Sequence, residues 1–124
     1  MKEIKAYVRR SKMDEVVHGL KAIGVKAMSV IPVEGIGALA DPGESELSME
    51  YITNYSMIYK LEIVCRKGDA SLIVETLRKL AHTGARGDGV IFISDIERAI
   101  KIKSGDEGEF TLDSPKQGQT QEEG

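Results

Sequence analysis

Tryptophan is absent from this chain of 124 residues, and Phe and Tyr together supply only 5% of it. Aliphatic side chains must therefore fill the one core that a chain of this length can build. The single cysteine, Cys65, excludes an internal disulfide framework and fits a reducing compartment, so a cytoplasmic location is expected. No apolar run approaches the roughly 18 residues of a membrane span, and no charged-then-apolar leader is present. Neither membrane insertion nor secretion is expected. An excess of positive charge is missing too. A net charge of −3 argues against binding nucleic acid by bulk electrostatics. His18 and His82 fall in different helical stretches, with no Cys or carboxylate at ligand spacing, so no metal site is expected. No acid–base pair or activated nucleophile stands out, and no enzymatic role is expected.

The elements are legible from periodicity. Ile4, Ala6 and Val8 alternate with Lys5 and Tyr7, which reads as a strand over residues 2–8. Ser11 precedes Asp14 by three, a loose capping box for a helix opening at Lys12. Met13, Val16, Val17, Leu20 and Ile23 form its apolar stripe, and Gly24 is a natural stop. Val25 to Val33 reads as a second strand. Residues 34–54 show no clean period and carry Gly35, Gly37, Pro42 and Gly43 among several carboxylates, a connection long enough to be functional or mobile. Tyr55 to Cys65 alternates as a third strand, in which Cys65 is a buried, inert thiol. Gly68-Asp69 punctuates the chain before a second helix with the stripe Ile73, Leu77, Leu80 and Ala81. Val90 to Ser94 reads as a short buried strand, and Ala99 to Lys103 as a last short one. Residues 109–124 hold two apolar side chains, Phe110 and Leu112, and are expected to form an acidic, mobile tail.

The order is β-α-β, long loop, β-α-β, with a short extra C-terminal strand. That is the split βαβ arrangement of an α+β, ferredoxin-like βαββαβ sandwich over residues 1–108, with both helices on one face of an antiparallel sheet. The other sheet face also carries apolar side chains and needs cover, which self-association would supply.

Two glycine-rich stretches attract attention. Gly35-Ile36-Gly37-Ala38-Leu39-Ala40 matches a dinucleotide-binding pattern, but Asp41-Pro42-Gly43 breaks the crossover helix that such a site requires. The second, Thr83-Gly84-Ala85-Arg86-Gly87-Asp88-Gly89, joins the second helix to an apolar strand. Such a loop can aim several N–H groups at an anion. Further on, Lys101 and Lys103 alternate with Ile100 and Ile102, which would set both ammonium groups on one strand face and suggests a phosphate site.

Residues 83–92 and 100–107 together resemble the C-terminal signature of the PII signal-transduction family, the nitrogen regulatory proteins. The resemblance runs from residue 1 to about 108 without insertion or deletion. Glu34-Gly35-Ile36-Gly37 is similar to the start of that family's mobile T-loop, here about residues 35–54, and Lys60-Leu61-Glu62-Ile63-Val64 to its third strand. The resemblance implies a homotrimer with adenine-nucleotide sites in the clefts between neighbours. ATP and ADP compete there, and 2-oxoglutarate joins MgATP in many members. The T-loop then acts on a transporter, enzyme or regulator. Carried over by position, Gly35, Gly37 and Val64 would line the nucleotide. Gly87, Asp88 and Gly89 would contact it through backbone and carboxylate, and Lys101 and Lys103 stand where the family has two phosphate-binding arginines. Tyr51 takes the place of a tyrosine that is modified in some members.

The departures reshape these expectations. Leu39 replaces a glutamine that helps to bind Mg²⁺ and 2-oxoglutarate, and an apolar side chain cannot coordinate a hard cation. Ala38, Ile58 and Val90 each replace a basic residue, and lysines at 101 and 103 lose the bidentate geometry of arginine. Arg86 adds one cation back. The expected ligand is ADP, AMP or ATP, at a site that prefers ADP or AMP or needs no metal, and neither Mg²⁺ nor 2-oxoglutarate is expected to join it. Glu46, Ser48 and Met49 alter the motif around Tyr51, which reads better as a plain loop tyrosine. The alternatives are a regulator tuned to another small ligand, such as a cyclic nucleotide or bicarbonate, and a trimeric scaffold that binds none. Phe110 and Leu112 docking as a clip on a neighbour is the alternative to a mobile tail.

Overall fold

A computed structural model of the chain describes residues 1–41, 46–48 and 53–108. Tyr51, the tail 109–124 with Phe110 and Leu112, and part of the 35–54 loop lie outside the described residues.

The elements are β1 (Lys2–Val8), α1 (Met13–Ala22), β2 (Ser29–Ile36), β3 (Glu46–Ser48), β4 (Thr53–Cys65), α2 (Ala70–Ala81) and β5 (Ile91–Asp95). The sheet runs β2-β4-β1-β5, antiparallel throughout, and β3 pairs with β4. This is the ferredoxin-like α+β architecture that the pattern implies. Ile4 sits opposite Ile63 on one side and Ile93 on the other, so the alternating apolar sets of β1, β4 and β5 come into register on the helix face. Ile4, Val16, Leu20, Leu61 and Leu77 are almost wholly buried there. Each contributes about 1.5–3 kcal/mol by leaving water. The two helices pack closely at Gly19, where a Cβ would meet the Leu80 side chain.

Gly24 ends α1 as its position suggests. It adopts φ +99°, its N–H donates to the Lys21 carbonyl at 3.0 Å, and Val25 N–H donates to the Leu20 carbonyl at 3.0 Å. That pair of bonds is a Schellman motif, which satisfies carbonyls the helix leaves open. The start of α1 differs from the expected capping box. A 3₁₀ turn over Arg10–Lys12 leads into the helix, Lys12 occupies the cap position, and no side chain caps it. The turn supplies the entry geometry that Ser11 was expected to provide.

Three further boundaries are corrected. β2 begins at Ser29 rather than Val25 and continues to Ile36, because its register is set by pairing with β4 and not by its own β-branched run. β5 is not a buried strand: Phe92 is 55% and Ile93 51% exposed. As the last strand of the sheet it has a neighbour on one side only. Residues 99–103 form no strand. Ile100 makes a single bridge to Glu107 and residues 102–104 turn, so Lys101 and Lys103 do not share a strand face. Arg98 clasps this hairpin from its base through Glu107, with Nε at 3.1 Å.

The sheet face opposite the helices carries Lys5, Tyr7, Lys60, Glu62, Val64 and Phe92. Lys60 pairs with Glu62 at 3.2 Å, and the Tyr7 and Phe92 rings meet edge to face with centroids 6.2 Å apart. Val64 and Phe92 leave apolar surface open in the single chain. No helix among the described residues is long and apolar enough to cross a membrane.

Candidate functional site

Two loops meet at one end of the sheet, and a buried arginine joins them. Arg9 follows the last residue of β1 and is 8% exposed. Its Nε donates to Asp88 Oδ1 at 2.9 Å, its Nη1 to Asp41 Oδ1, and its Nη2 to the carbonyls of Ala85 at 3.2 Å and Arg86 at 2.6 Å. Asp41, itself buried, stands just after the 3₁₀ turn Gly37–Leu39 and is held again by its own N–H, which donates to Ser56 Oγ at 2.7 Å. The base of the 35–54 loop and the glycine-rich loop 83–89 are thereby fixed to each other. The turn at 37–39 is a single turn with Ala40 extended after it, so no crossover helix follows Gly35-Ile36-Gly37.

Asp88 organises the glycine-rich loop from within. Its Oδ2 accepts from the amides of Thr83 and Gly84, both at 2.8 Å, and its Oδ1 from Thr83 Oγ1 at 2.5 Å as well as from Arg9. Ala85 N–H donates to Thr83 Oγ1 and Asp88 N–H to the Ala85 carbonyl, so four amides are spent inside the loop. Among the described residues the amides of Arg86, Gly87 and Gly89 make no such bond. Gly87 turns the chain at φ +96°, a conformation that side chains rarely adopt.

Burial pushes the Asp88 carboxyl upward, but the hydrogen bonds from Thr83, Gly84 and Arg9 outweigh it and hold it well below the usual carboxylate range. Burial would likewise lower Arg9, yet its bonds to Asp41 and Asp88 raise it further. A depressed carboxyl stabilises the fold above its unfolded pKa of about 3.9, and that contribution is lost as pH falls toward the folded value. The stability gap between the natural chain and Asp88→Asn is therefore expected to stay constant from pH 7 to pH 4.5. It should shrink below about pH 3.9, as read from urea titrations.

The glycines have steric reasons of their own. A Cβ on Gly35 would strike the Leu39 carbonyl oxygen and stand 2.8 Å from its carbon, so glycine lets the turn fold back over β2. Gly37 opens that turn at φ +65°. A Cβ on Gly89 would strike the Tyr7 carbonyl, where the loop joins β1. Between β1, the end of α2 and residues 88–91 lies a cavity of about 160 Å³. That is smaller than the roughly 300–1,000 Å³ of ordinary ligand pockets.

Through Arg9 and Asp41 the structure thus links the turn that Gly35 and Gly37 build to the loop that carries Arg86, Gly87, Asp88 and Gly89. It does not bring Val64 to them within one chain. Gly35 pairs with Ser56, and Val64 lies eight residues farther along β4, about 26 Å at strand rise. Lys101 and Lys103 are exposed and lie on the chain that leaves β5 at Asp95, which pairs with Lys2 beside Cys65. Cys65 is buried, and burial first, then Asp69, pushes its thiol up. A thiol reagent is expected to label it only after denaturant unfolds the chain.

Periodicity did not single out Arg9 or Asp41. Arg9 and Arg10 are adjacent and chemically alike, yet Arg9 is buried and Arg10 exposed. Only the positions of Asp41 and Asp88 distinguish them.

The sequence profile of a family described as nitrogen regulatory protein P-II matches residues 1–106. The chain is 39% identical over 108 residues to nitrogen regulatory protein P-II 2 of Methanothermobacter thermautotrophicus, covering 87% of this chain and 94% of that protein. It is 35% identical over 112 residues to nitrogen regulatory protein P-II of Pasteurella multocida, covering 90% of this chain and 100% of that one. With the Rhizobium meliloti protein of the same description it shares 33% identity over 108 residues, 87% of this chain and 96% of the relative.

Proposed function

Since the chain belongs to the nitrogen regulatory protein P-II family, we propose that it is a trimeric signalling protein that senses an adenine nucleotide and acts on a partner through its 35–54 loop. The observation that carries this reading is the division of the candidate residues. Arg9 ties Asp41, which follows the turn built by Gly35 and Gly37, to Arg86 and Asp88 of the glycine-rich loop, where the amides of Arg86, Gly87 and Gly89 carry no hydrogen bond among the described residues. Val64 lies at the far end of β4, on the open sheet face. A cleft between two copies would unite the halves and enlarge the small cavity, and the apolar face around Val64 and Phe92 gives the copies a surface to bury.

Lys101 and Lys103 supply point charges to phosphate in this reading, and ADP or AMP is preferred to ATP. The side chains do not fit Mg²⁺. Ala38 and Leu39 offer no oxygen, and the carboxylates of Asp41 and Asp88 are held by Arg9. Ile58, which stands where the resemblance places a lysine for 2-oxoglutarate, is buried and lies near Gly35. 2-Oxoglutarate is expected to leave nucleotide affinity unchanged.

Calorimetric titration with ATP, ADP and AMP, with and without Mg²⁺, tests the reading. Micromolar binding that weakens about tenfold or more in Lys103→Ala is the expected result, the loss of one charge-assisted contact. Sedimentation should give a trimer. No heat with any nucleotide at millimolar concentration would reject nucleotide sensing and leave a trimeric scaffold or another small anion.

A further inference from the structure

We propose that Arg9 is the positioning residue that couples the glycine-rich loop to the base of the 35–54 loop, with Asp41 as the receiving end. The coupling stands on the geometry alone. The sensing reading above enters only where a nucleotide is used to drive it.

A guanidinium is planar and presents its N–H groups in a rigid fork. Here the fork meets four acceptors, three from the loop 83–89 (Asp88 and the carbonyls of Ala85 and Arg86) and one from the other loop (Asp41). Three acceptors on one side fix the plane of the cation, so a movement of residues 85–88 must turn it. The single bond to Asp41 is the one that then fails or follows. Asp41 is well placed to pass that movement on. Its N–H is held by Ser56 Oγ, and the Ala40 N–H closes the preceding turn on the Gly37 carbonyl at 3.0 Å. No direct hydrogen bond joins Asp88 to residues 35–41 among the described residues, so Arg9 is the link.

The charges add to this. One cation serves two carboxylates, of which the Asp41 side chain is 5% and the Asp88 side chain 25% exposed. An anion arriving at the uncommitted amides of Arg86, Gly87 or Gly89 competes with Asp41 for the same positive charge. Ligand at one loop and conformation at the other are then linked through differential affinity, as any such coupling requires.

Backbone amide exchange followed by NMR on the full chain tests the proposal, first without ligand. Asp88→Asn is expected to speed exchange at Ala40 and Asp41 at least tenfold, although Asp88 touches neither. Arg9→Lys should do the same. The double variant should be no faster at Asp41 than Arg9→Lys alone, because the route is already cut. Exchange at Ile4 and Ala6 in the core should rise in Asp88→Asn only by the factor that its loss of global stability in urea sets, and exchange at Ala40 and Asp41 should rise by more, which separates coupling from general loosening. If Asp88→Asn loosens residues 83–88 and leaves Ala40 and Asp41 within twofold, Arg9 is only a structural staple and the proposal fails. In a second arm, saturating ADP should change Asp41 exchange at least threefold in the natural chain and not in Arg9→Lys. ADP that binds both forms and shifts Asp41 equally would overturn the coupling. Failure of ADP to bind would overturn the nucleotide reading instead, while the ligand-free double-variant comparison still decides the coupling.

Discussion

Arg9→Met is expected to lower the stability of the fold by about 3–5 kcal/mol, the usual consequence of removing one partner from a buried ion pair. Methionine matches the length of the arginine stem and keeps much of its packing, so the effect isolates the guanidinium. Its loss takes from Asp41, which is 4% exposed, the guanidinium that its carboxylate binds. It also strips the Ala85 and Arg86 carbonyls of their donor and Asp88 of one of its four hydrogen bonds. Urea denaturation at pH 7 measures the change, and a fall in Tm of about 10–20 °C should accompany it. Asp41→Asn combined with Arg9→Met should recover part of the loss, because the charge that the guanidinium bound is then gone. A stability within about 1 kcal/mol of the natural chain in Arg9→Met alone would show that water reaches this cluster and that the network contributes little.

Gly89→Ala is the second large effect. The added methyl would strike the Tyr7 carbonyl oxygen and come within 2.5 Å of the Tyr7 carbonyl carbon, both backbone atoms that cannot rotate away. Tyr7 N–H donates to the Val90 carbonyl at 2.9 Å at the same place, so relief means moving the loop off β1 and breaking the start of the β1–β5 pairing. The cost is expected at the top of the roughly 1–3 kcal/mol range for overpacking, or above it. Gly68→Ala is the control. Nothing lies within 4 Å of its added Cβ, and its stability should stay within about 0.5 kcal/mol of the natural chain. Chemical denaturation of the two variants side by side checks both expectations. A mild effect at Gly89 would mean that the loop yields easily, and the fixed joint between it and β1 would have to be abandoned.

Those two residues illustrate how unevenly the sequence discloses the site. Gly89 belongs to a conspicuous motif, and its glycine is explained by backbone crowding before any ligand is considered. Gly35 is similar, since the turn at 37–39 folds back over it. Asp88 stands out in the same motif, but its carboxylate turns inward to bind the loop that carries it. Arg9 does not stand out at all. Two adjacent arginines follow β1, and only the arrival of Asp41 and Asp88 from residues far along the chain selects the first.

The sequence alone determined the elements whose signal is local. Strand alternation in residues 2–8 and 55–65, the apolar stripes of α1 and α2, and the stop at Gly24 all act through contacts within a few residues, and each reappears in the fold. Tertiary structure decided what depends on partners. The span of β2 follows its register with β4, the exposure of β5 follows its place at the end of the sheet, and residues 99–103 turn back on Glu107. It also decided that Val64 lies far along β4 from Gly35, and that one buried guanidinium closes the gap between two loops. A periodicity is written into neighbouring residues. The environment of a charge is set by whichever residues the sheet order brings to it.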